Sequence, residues 1–525
     1  MEKKKSIFKS GMLLVLIGLV LLFTQACSTK SNTESKAGDK SEAAKEGGTL
    51  TIVRLSDATK LDPQFITDIP SNNVIYQKVY ETLVVPDKDM NIQPLLAESW
   101  KVINDKTWEF KLRKGVNFHD GTPFNAEAVK ATFDRLLDPK VGSPSRAKFE
   151  MIKEVKIVDD YTVQLVLKYP YAPLLSILAS SEGSIISPKA IKENPEKLSE
   201  HPVGTGPFVF EDWKSGQEIS LKKNDKYWGT KPKIDRVVFK VVPEDSTRLA
   251  MIETGEAQIN DQVPVTEIER IEASNTMGLY RTDGLAVEYL GFNVKKKPLD
   301  NVKVRRAISH AIEREAIIKG VYNNVGTLAN SAMSPKVFGY SKNIKPYDYD
   351  INEAKKLLKE AGYEKGLKLT LLTSDRKERI NMAEVIQSQL KGIGVNVKIQ
   401  VMEYGAYIDV IEKGTFDMAI GGWGNATGDG DYNQYNLFHS SSQGPAGNTF
   451  YYSNPEADKL IVAARQEMNE TKRKALYEKV MKIELNDAVY VPIRNYEHIA
   501  AYSKNINGFW MNPASYLMIN DVTVK

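Results

Sequence analysis

Side chains that commonly carry catalysis or hold metal ions are few in this 525-residue chain, and they form no recognisable site. The single cysteine is Cys27, and the sequence has no GxSxG elbow, no phosphate-binding glycine loop and no HExxH zinc motif. The histidines are His119, His201, His310, His439 and His498. Their positions show no metal-ligand spacing. We therefore expect a protein that is not an enzyme and that needs neither a cofactor nor a protein-bound metal.

The most distinctive segment is GGWGNATGDGD, residues 421–431. It follows FDMAIGGW (416–423), whose apolar run predicts a buried strand. The segment is too rich in glycine for a regular core element. Trp423 would offer a rigid, flat apolar wall to a ligand, and packing inside the protein is the alternative interpretation.

Composition limits the class of protein. A length of 525 residues predicts two or three domains, and 42% hydrophobic with 26% charged residues is ordinary for a soluble globular protein. The formal net charge is only +4. Because no basic stripe with interleaved aromatic residues occurs, nucleic-acid binding has little support.

The N-terminus predicts export. Lysines 3–5 precede a 13-residue apolar run, GMLLVLIGLVLLF, and Cys27 follows within four residues. Residues 1–26 look like a bacterial lipoprotein signal, although Thr24 stands where an aliphatic residue is usual. Cys27 would then carry the lipid, and residues 27–47 would be a disordered tether. The alternatives are a soluble secreted protein with one free thiol, or an uncleaved anchor.

The folded part mixes strands and helices. Period-2 and β-branched runs predict strands at 47–53, 107–113, 155–158, 161–168, 395–403 and 416–423. Helical periodicity predicts helices at 125–138, 300–322, 351–363 and 379–394. The alternation in 300–425 predicts an α/β lobe whose sheet is covered by helices.

Several motifs occur in one order along the chain. They are QPLLAESW (93–100), FKLRKGVNFHDGTPFNAEAVK (110–130), VGTGPFVF (203–210), NDKYW (224–228), TRLAMIETGEAQ (247–258) and NVKVRRAISHAIER (301–314). From about residue 48 onward the chain resembles the extracellular solute-binding proteins of peptide-type ABC importers, the dipeptide, oligopeptide and nickel family. Within it, the glutathione-binding branch looks most similar, because SKNINGFWMNP (503–513) has a counterpart there.

The resemblance implies an α/β, two-lobe, periplasmic-binding-protein-like fold of class II. Lobe I would comprise 48–290 plus 497–525, with an extra subdomain inserted at about 81–203. Lobe II would be 291–496. The chain would cross between the lobes near 289–294 and 493–500. Composition and periodicity do not reveal this discontinuity. The glycines of GTGPF read mainly as turn residues.

The resemblance also gives the tryptophan segment a role. In peptide-binding relatives an aspartate three residues after the tryptophan holds the peptide's α-ammonium, whereas here that position is Ala426. Asp429 or Asp431 could replace the acid, or a γ-glutamyl ligand such as glutathione could present its ammonium elsewhere. Trp423, with Gly422 and Asn425 beside it, is expected to line the ligand, and packing between the lobes is the alternative.

A carboxylate partner is expected before the MAE helix, where relatives carry an arginine. The segment LLTSDRKERINMAE (371–384) offers Arg376 and Arg379. Arg376 lies nearer the end of the preceding strand, where α/β lobes bind ligands, so it is preferred, and Arg379 is expected to face solvent. Further candidate ligand-binding residues, all in lobe I, are Asp57, Thr59 and Arg146.

The expected function is that of a monomeric substrate-binding lipoprotein at the extracytoplasmic face of a bacterial membrane. It would capture short peptides or glutathione between closing lobes and deliver them to an ABC permease with its ATPase subunits. Two alternatives stay open. One is a receptor for nickel or metallophore complexes, for which His439 is the histidine nearest the tryptophan segment. The other is a peptide-sensing pheromone receptor without transport.

Overall fold

The computed structural model describes residues 47–444 and 447–525 and has an α/β fold. Cys27, the signal segment and nearly all of the tether, and with them the expected lipidation, lie outside the described residues. Within the described part of the chain, no helix is long and apolar enough to cross a membrane.

The strands of the described residues are numbered in chain order. They are β1 (Thr49–Arg54), β2 (Val84–Pro86), β3 (Ile92–Pro94), β4 (Ala97–Asn104), β5 (Thr107–Leu112), β6 (Ile152–Asp159), β7 (Thr162–Leu167), β8 (Phe208–Lys214), β9 (Glu218–Lys223), β10 (Arg236–Val241), β11 (Ile259–Asn260), β12 (Met277–Phe292), β13 (Thr327–Leu328), β14 (Leu367–Ser374), β15 (Val395–Met402), β16 (Met418–Gly424), β17 (Tyr490–Ser503), β18 (Ile506–Asn507), β19 (Trp510–Met511), β20 (Leu517–Met518) and β21 (Thr523–Val524).

The α-helices are numbered in the same way. They are α1 (Ile69–Ile75), α2 (Ala126–Leu137), α3 (Leu174–Leu178), α4 (Pro188–Glu193), α5 (Asp245–Thr254), α6 (Ile268–Glu272), α7 (Val302–His310), α8 (Arg314–Tyr322), α9 (Ile351–Glu360), α10 (Lys377–Lys391), α11 (Tyr404–Glu412), α12 (Gly430–Phe438), α13 (Pro455–Gln466) and α14 (Glu470–Asn486).

Two long strands connect the two halves of the main sheet. The strand order is β15-β14-β16-β12-β17-β11-β1-β10-β9-β8, and β13 pairs with β17. β12 and β17 are antiparallel to each other. On one side β12 pairs with β16, and on the other β17 pairs with β11. The two segments expected to cross between the lobes are therefore extended and hydrogen-bonded side by side, while the lobe boundaries stay a prediction.

A separate four-stranded sheet, β4-β5-β7-β6, lies in the range expected for the inserted subdomain. One face packs on α2, whose N-cap Asn125 accepts a hydrogen bond from the backbone of Ala128. Its apolar residues form a hydrophobic cluster that runs from Leu83 to Ile185. A separate cluster, from Leu290 to Ile493, fills the space between β14–β16 and helices α7–α10.

Two of the expected helices differ from the structure. The helix expected at 300–322 is two helices, α7 and α8, separated by residues 311–313. The helix expected at 379–394 begins at Lys377, with Arg376 as its N-cap residue. The earlier start places Arg379 inside the first turn of α10, where its side chain faces the protein instead of solvent.

Candidate ligand-binding cleft

Three adjoining cavities surround the carboxyl end of β16 and the start of α10. The central cavity has a volume of about 520 Å³, the aromatic cavity about 340 Å³ and the arginine cavity about 230 Å³. Gly424 borders the central and aromatic cavities, and Arg379 borders the aromatic and arginine cavities. Arg376 and Tyr496 border the central and arginine cavities. We refer to the three together as the cleft. Its size is in the range of small-molecule sites.

The aromatic cavity is built around Trp423. β16 pairs with β12 so that Trp423 lies opposite Val287. The indole packs on the Tyr432 ring with centroids 5.4 Å apart, and its Nε1 is buried without a partner among the described residues. Gly421 lets the Tyr289 ring approach, because a Cβ there would lie 2.7 Å from that ring. These rings make an apolar wall that favours flat or aliphatic groups.

A buried charge cluster separates the aromatic and arginine cavities. Glu288, on β12, is 1% exposed and accepts hydrogen bonds from Arg379 Nε at 3.4 Å and Arg494 Nε at 3.3 Å. The Tyr496 hydroxyl donates to the same carboxylate at 3.1 Å. The Arg494 guanidinium also lies 3.6 Å from the centre of the Tyr322 ring. Opposite charges and shared hydrogen bonds offset the cost of burying this group.

The central cavity has an acid and a base on its walls. Asp261 follows β11, and its Oδ1 is buried with no hydrogen-bond partner among the described residues. Burial raises the pKa of Asp261 to about 6, opposed by the nearby charges of Arg54 and Arg248. Arg376 borders the same cavity with an exposed side chain. His498, also on this wall, has its pKa lowered to about 4 by burial, so it is neutral near pH 7.

Four of the expected ligand-binding residues line the cleft. Gly422 and Trp423 border the aromatic cavity, Asn425 borders the central cavity, and Arg376 borders the central and arginine cavities. The side chain of Asn425 is already engaged, because its Oδ1 accepts from the backbone nitrogens of residues 427 and 428 at 2.8 and 2.7 Å. Asn425 therefore shapes the loop.

The structure engages both Asp429 and Asp431, the residues that could replace the missing acid, in other contacts. Asp429 is 2% exposed, caps α12 and forms an ion pair with Arg473. Burial raises the pKa of Asp429, and the Arg473 charge opposes that rise. Asp431 accepts two hydrogen bonds from Arg465, at 2.9 and 3.1 Å. Neither aspartate borders the cleft, so neither carboxylate is placed to meet a ligand ammonium.

Three further expected residues are also placed elsewhere. Asp57 accepts hydrogen bonds from Trp213 Nε1 at 2.9 Å and from the Gly216 backbone at 2.8 Å, so its carboxylate fixes a loop of the β1 sheet. Thr59 is exposed and donates to a neighbouring aspartate. Arg146 is exposed and donates from Nε to the carbonyl of residue 137 at 2.9 Å. None of the three borders the cleft.

Sequence reasoning placed Arg379 in solvent, and that expectation is wrong. Its side chain is only 9% exposed and pairs with Glu288, which comes from a strand 91 positions earlier in the chain. Asp261 was missed as well, because β11 has only two residues and shows no strand pattern. An acid three residues before the loop proline Pro264 was the one available signal for a strand end.

Comparison with known proteins identifies the family. A family model described as bacterial extracellular solute-binding proteins, family 5 Middle, matches residues 91–445. The chain belongs to this family. The glutathione-binding protein GsiB of Shigella dysenteriae serotype 1 is 31% identical over 530 residues, which cover 99% of this chain and all of that protein.

Solved structures of family 5 relatives have the same fold. HbpA2 from Haemophilus parasuis superimposes with a TM-score of 0.83 at 29% identity, covering 91% of this chain and 100% of that chain. The periplasmic binding protein DppA from Helicobacter pylori, in complex with the peptide STSA, gives 0.77 at 33% identity, covering 91% and 98%. The expected periplasmic-binding-protein-like fold is thereby confirmed.

Family 5 membership also settles the broad class of function. The relatives are solute-binding proteins, so the expectation that the chain is not an enzyme is confirmed. Family 5 proteins work outside the cytoplasm with the permease and ATPase subunits of ABC importers. Within residues 47–444 and 447–525, no group of three or more metal-ligating side chains is placed to hold an ion. His439 accepts or donates a hydrogen bond with Ser441 at 2.7 Å and does not border the cleft.

Proposed function

We propose that this family 5 protein captures a short peptide or glutathione in the cleft and delivers it to an ABC permease. It acts as a monomer of two lobes, 48–290 plus 497–525 and 291–496, with a subdomain at 81–203. A lipid on Cys27 holds it at the extracytoplasmic face of the membrane, on the tether 27–47. Binding and lobe closure are its whole task.

One observation carries the proposal: Asp261 and Arg376 border the same cavity of about 520 Å³. The Asp261 carboxylate has an oxygen without a partner among the described residues, and the Arg376 guanidinium is exposed to the cavity. An acid and a base on one cavity complement a zwitterion, which carries an ammonium and a carboxylate. Asp261 would thus do for the ammonium what the aspartate of the tryptophan segment does in peptide-binding relatives.

The relatives agree with a zwitterionic solute. The GsiB proteins are named for glutathione, and the DppA structure contains the peptide STSA. Glutathione and peptides share a free ammonium and a free carboxylate. Trp423 and Tyr432 would pack against the apolar part of either ligand, since both rings border the aromatic cavity.

Contacts between the proposed subdomain and proposed lobe II, outside the cleft, support closure on a ligand. The Tyr171 hydroxyl, from the range of the proposed subdomain, donates to Asp431 of proposed lobe II at 3.0 Å. The backbone N–H of Ala172 donates to the Arg465 carbonyl at 2.9 Å. A ligand that bound between the lobes would favour this arrangement over an open one by its differential affinity for the two.

Thermal unfolding of the purified protein tests the proposal against glutathione, glutathione disulfide, several dipeptides and nickel. A ligand at 100 times its dissociation constant stabilises the folded state by about 2.7 kcal/mol, which raises the midpoint by a few degrees. We expect a shift with at least one peptide-like ligand and none with its N-acetylated form, which has no ammonium. A shift with nickel alone would refute the proposal.

A variant pair locates the binding. Asp261→Asn should abolish the shift, because the amide cannot neutralise the ligand ammonium. Asp105→Asn is the matched control, since Asp105 is an exposed carboxylate in the turn between β4 and β5. Retention of the full shift by Asp261→Asn would place the ammonium elsewhere.

A further inference from the structure

The guanidinium of Arg379 is buried yet has few partners. The residue is 9% exposed, and within residues 47–444 and 447–525 its one hydrogen bond runs from Nε to Glu288 at 3.4 Å. Nη2 lies along the backbone of Gly422, where an added Cβ would be 3.2 Å away. Since Arg379 borders both the aromatic and the arginine cavity, its remaining N–H donors can be reached from the cleft.

Arg494, the other arginine of the cluster, is fully engaged. It contacts the Glu288 carboxylate at 3.2 Å and donates from Nη1 to the Val325 carbonyl at 3.1 Å. Tyr322 and Tyr496 cover its guanidinium, with ring centres at 3.6 and 4.4 Å. Arg494 therefore has a partner for each of its guanidinium nitrogens, whereas Arg379 has, among the described residues, only the Glu288 carboxylate that it shares with Arg494.

The buried charges at this point do not balance. One carboxylate, Glu288, serves two guanidinium groups. Glu497 also borders the arginine cavity, but it pairs with Arg281 at 2.7 Å. Glu378 is exposed, and Glu412 is a half-buried acid on the far wall of the aromatic cavity. Two buried positive charges thus share one counter-ion, and an anionic ligand group would supply a second.

We propose that Arg379 binds a second carboxylate of the solute, so that the cleft selects ligands with two carboxylates and one ammonium. The inference rests on the proposed function, in which Arg376 takes the first carboxylate and Asp261 the ammonium. A guanidinium fork suits this role because it can donate two parallel hydrogen bonds to one carboxylate. The ligand class is then γ-glutamyl peptides and short peptides with an acidic side chain.

Matched ligand pairs test the inference by titration calorimetry on the purified protein. One pair is glutathione and its ethyl ester at the glycine carboxylate, and the other is Ala-Glu and Ala-Gln. Loss of a charge partner in a desolvated site should weaken binding about 30-fold, which corresponds to about 2 kcal/mol. In Arg379→Gln the two members of each pair should bind within about threefold of each other.

Two further variants separate charge loss from misfolding. Arg379→Lys keeps the charge but loses the fork, so it should retain part of the discrimination. Arg270→Gln is the control, because Arg270 is exposed and pairs with surface acids outside the cleft. It should leave all four affinities unchanged.

The outcomes distinguish the inference from the proposed function. If the unsubstituted protein binds both members of each pair equally, the inference is wrong and the proposed function stands. If it discriminates and Arg379→Gln discriminates just as well, the second carboxylate binds elsewhere and the inference is wrong. If none of the four ligands binds, the proposed function fails and the inference fails with it.

Discussion

Ligand affinity should fall as the pH is lowered through the pKa of Asp261. Burial raises that pKa to about 6, whereas an ordinary aspartate titrates near 4. Below pH 6 the carboxyl is increasingly protonated and can no longer neutralise a ligand ammonium. Above pH 7 it is ionised and the site is complete, so the loss lies between pH 7 and pH 5.

The size of the effect follows from the ionised fraction. At pH 5, one unit below the pKa, about one Asp261 side chain in eleven is ionised, so the dissociation constant should rise about tenfold relative to pH 7.5. The histidine on the same wall does not become charged in this range. His498 stays neutral because burial lowers its pKa to about 4.

Titration calorimetry with glutathione at pH 5, 6 and 7.5 measures this directly. Binding should also release protons near pH 6, about half a proton per ligand, which appears as a dependence of the heat on the ionisation enthalpy of the buffer. In Asp261→Asn the residual affinity should be independent of pH. A constant affinity from pH 5 to 7.5, or an unchanged slope in that variant, would refute the assignment of the ammonium to Asp261.

Three stability predictions test the fold around the site. Tyr171→Phe removes a hydrogen bond to the buried Asp431 carboxylate, so it should lower the free energy of unfolding in urea by about 1.5 kcal/mol. Tyr349→Phe, at an exposed tyrosine, is the control and should leave that free energy unchanged. Gly206→Ala should lower the free energy of unfolding by more than about 3 kcal/mol or prevent folding, because the added Cβ would lie 2.2 Å from the carbonyl oxygen of Lys78. Near-normal stability of this variant would contradict the close approach. Burial lowers the pKa of Lys78 to about 7, so above that pH the unfolded chain binds one more proton than the folded protein does. The free energy of unfolding should therefore rise by about 2 kcal/mol between pH 7.5 and pH 9. Lys78→Met should remove this rise.

Local patterns in the sequence predicted the regular elements that short-range interactions determine. The helix at 125–138 and its Asn125 N-cap were predicted within one residue, because the cap and the apolar face are both encoded locally. The division of 300–322 into two helices was not predicted. Residues 311–313 contain no proline or glycine to mark a break, so the break depends on packing that the sequence does not display.

The central strands show more clearly what local sequence patterns cannot predict. β12 and β17 pair across about 200 positions of sequence, and neither partner can be recognised from its own residues. Resemblance to a known family identified 289–294 and 493–500 as crossing segments, and their pairing was not predicted. Trp423 was identifiable because an aromatic residue among glycines is unusual, whereas Arg379 was misplaced because its burial depends on Glu288 on a distant strand.

The position of the acid explains how Ala426 is compatible with an ammonium-bearing ligand. Ala426 and Asp261 border the same cavity, from the loop after β16 and the loop after β11. Coulomb attraction depends on the separation of the charges and on burial, and it is indifferent to which loop supplies the carboxylate. A carboxylate on the β11 side draws the ammonium toward that wall. The remainder of the ligand then points toward β16 and α10, where Trp423 offers an apolar surface and Arg379 a buried positive charge. Alanine at position 426 thus fits a ligand whose ammonium binds on the β11 side and whose carboxylate binds at the start of α10.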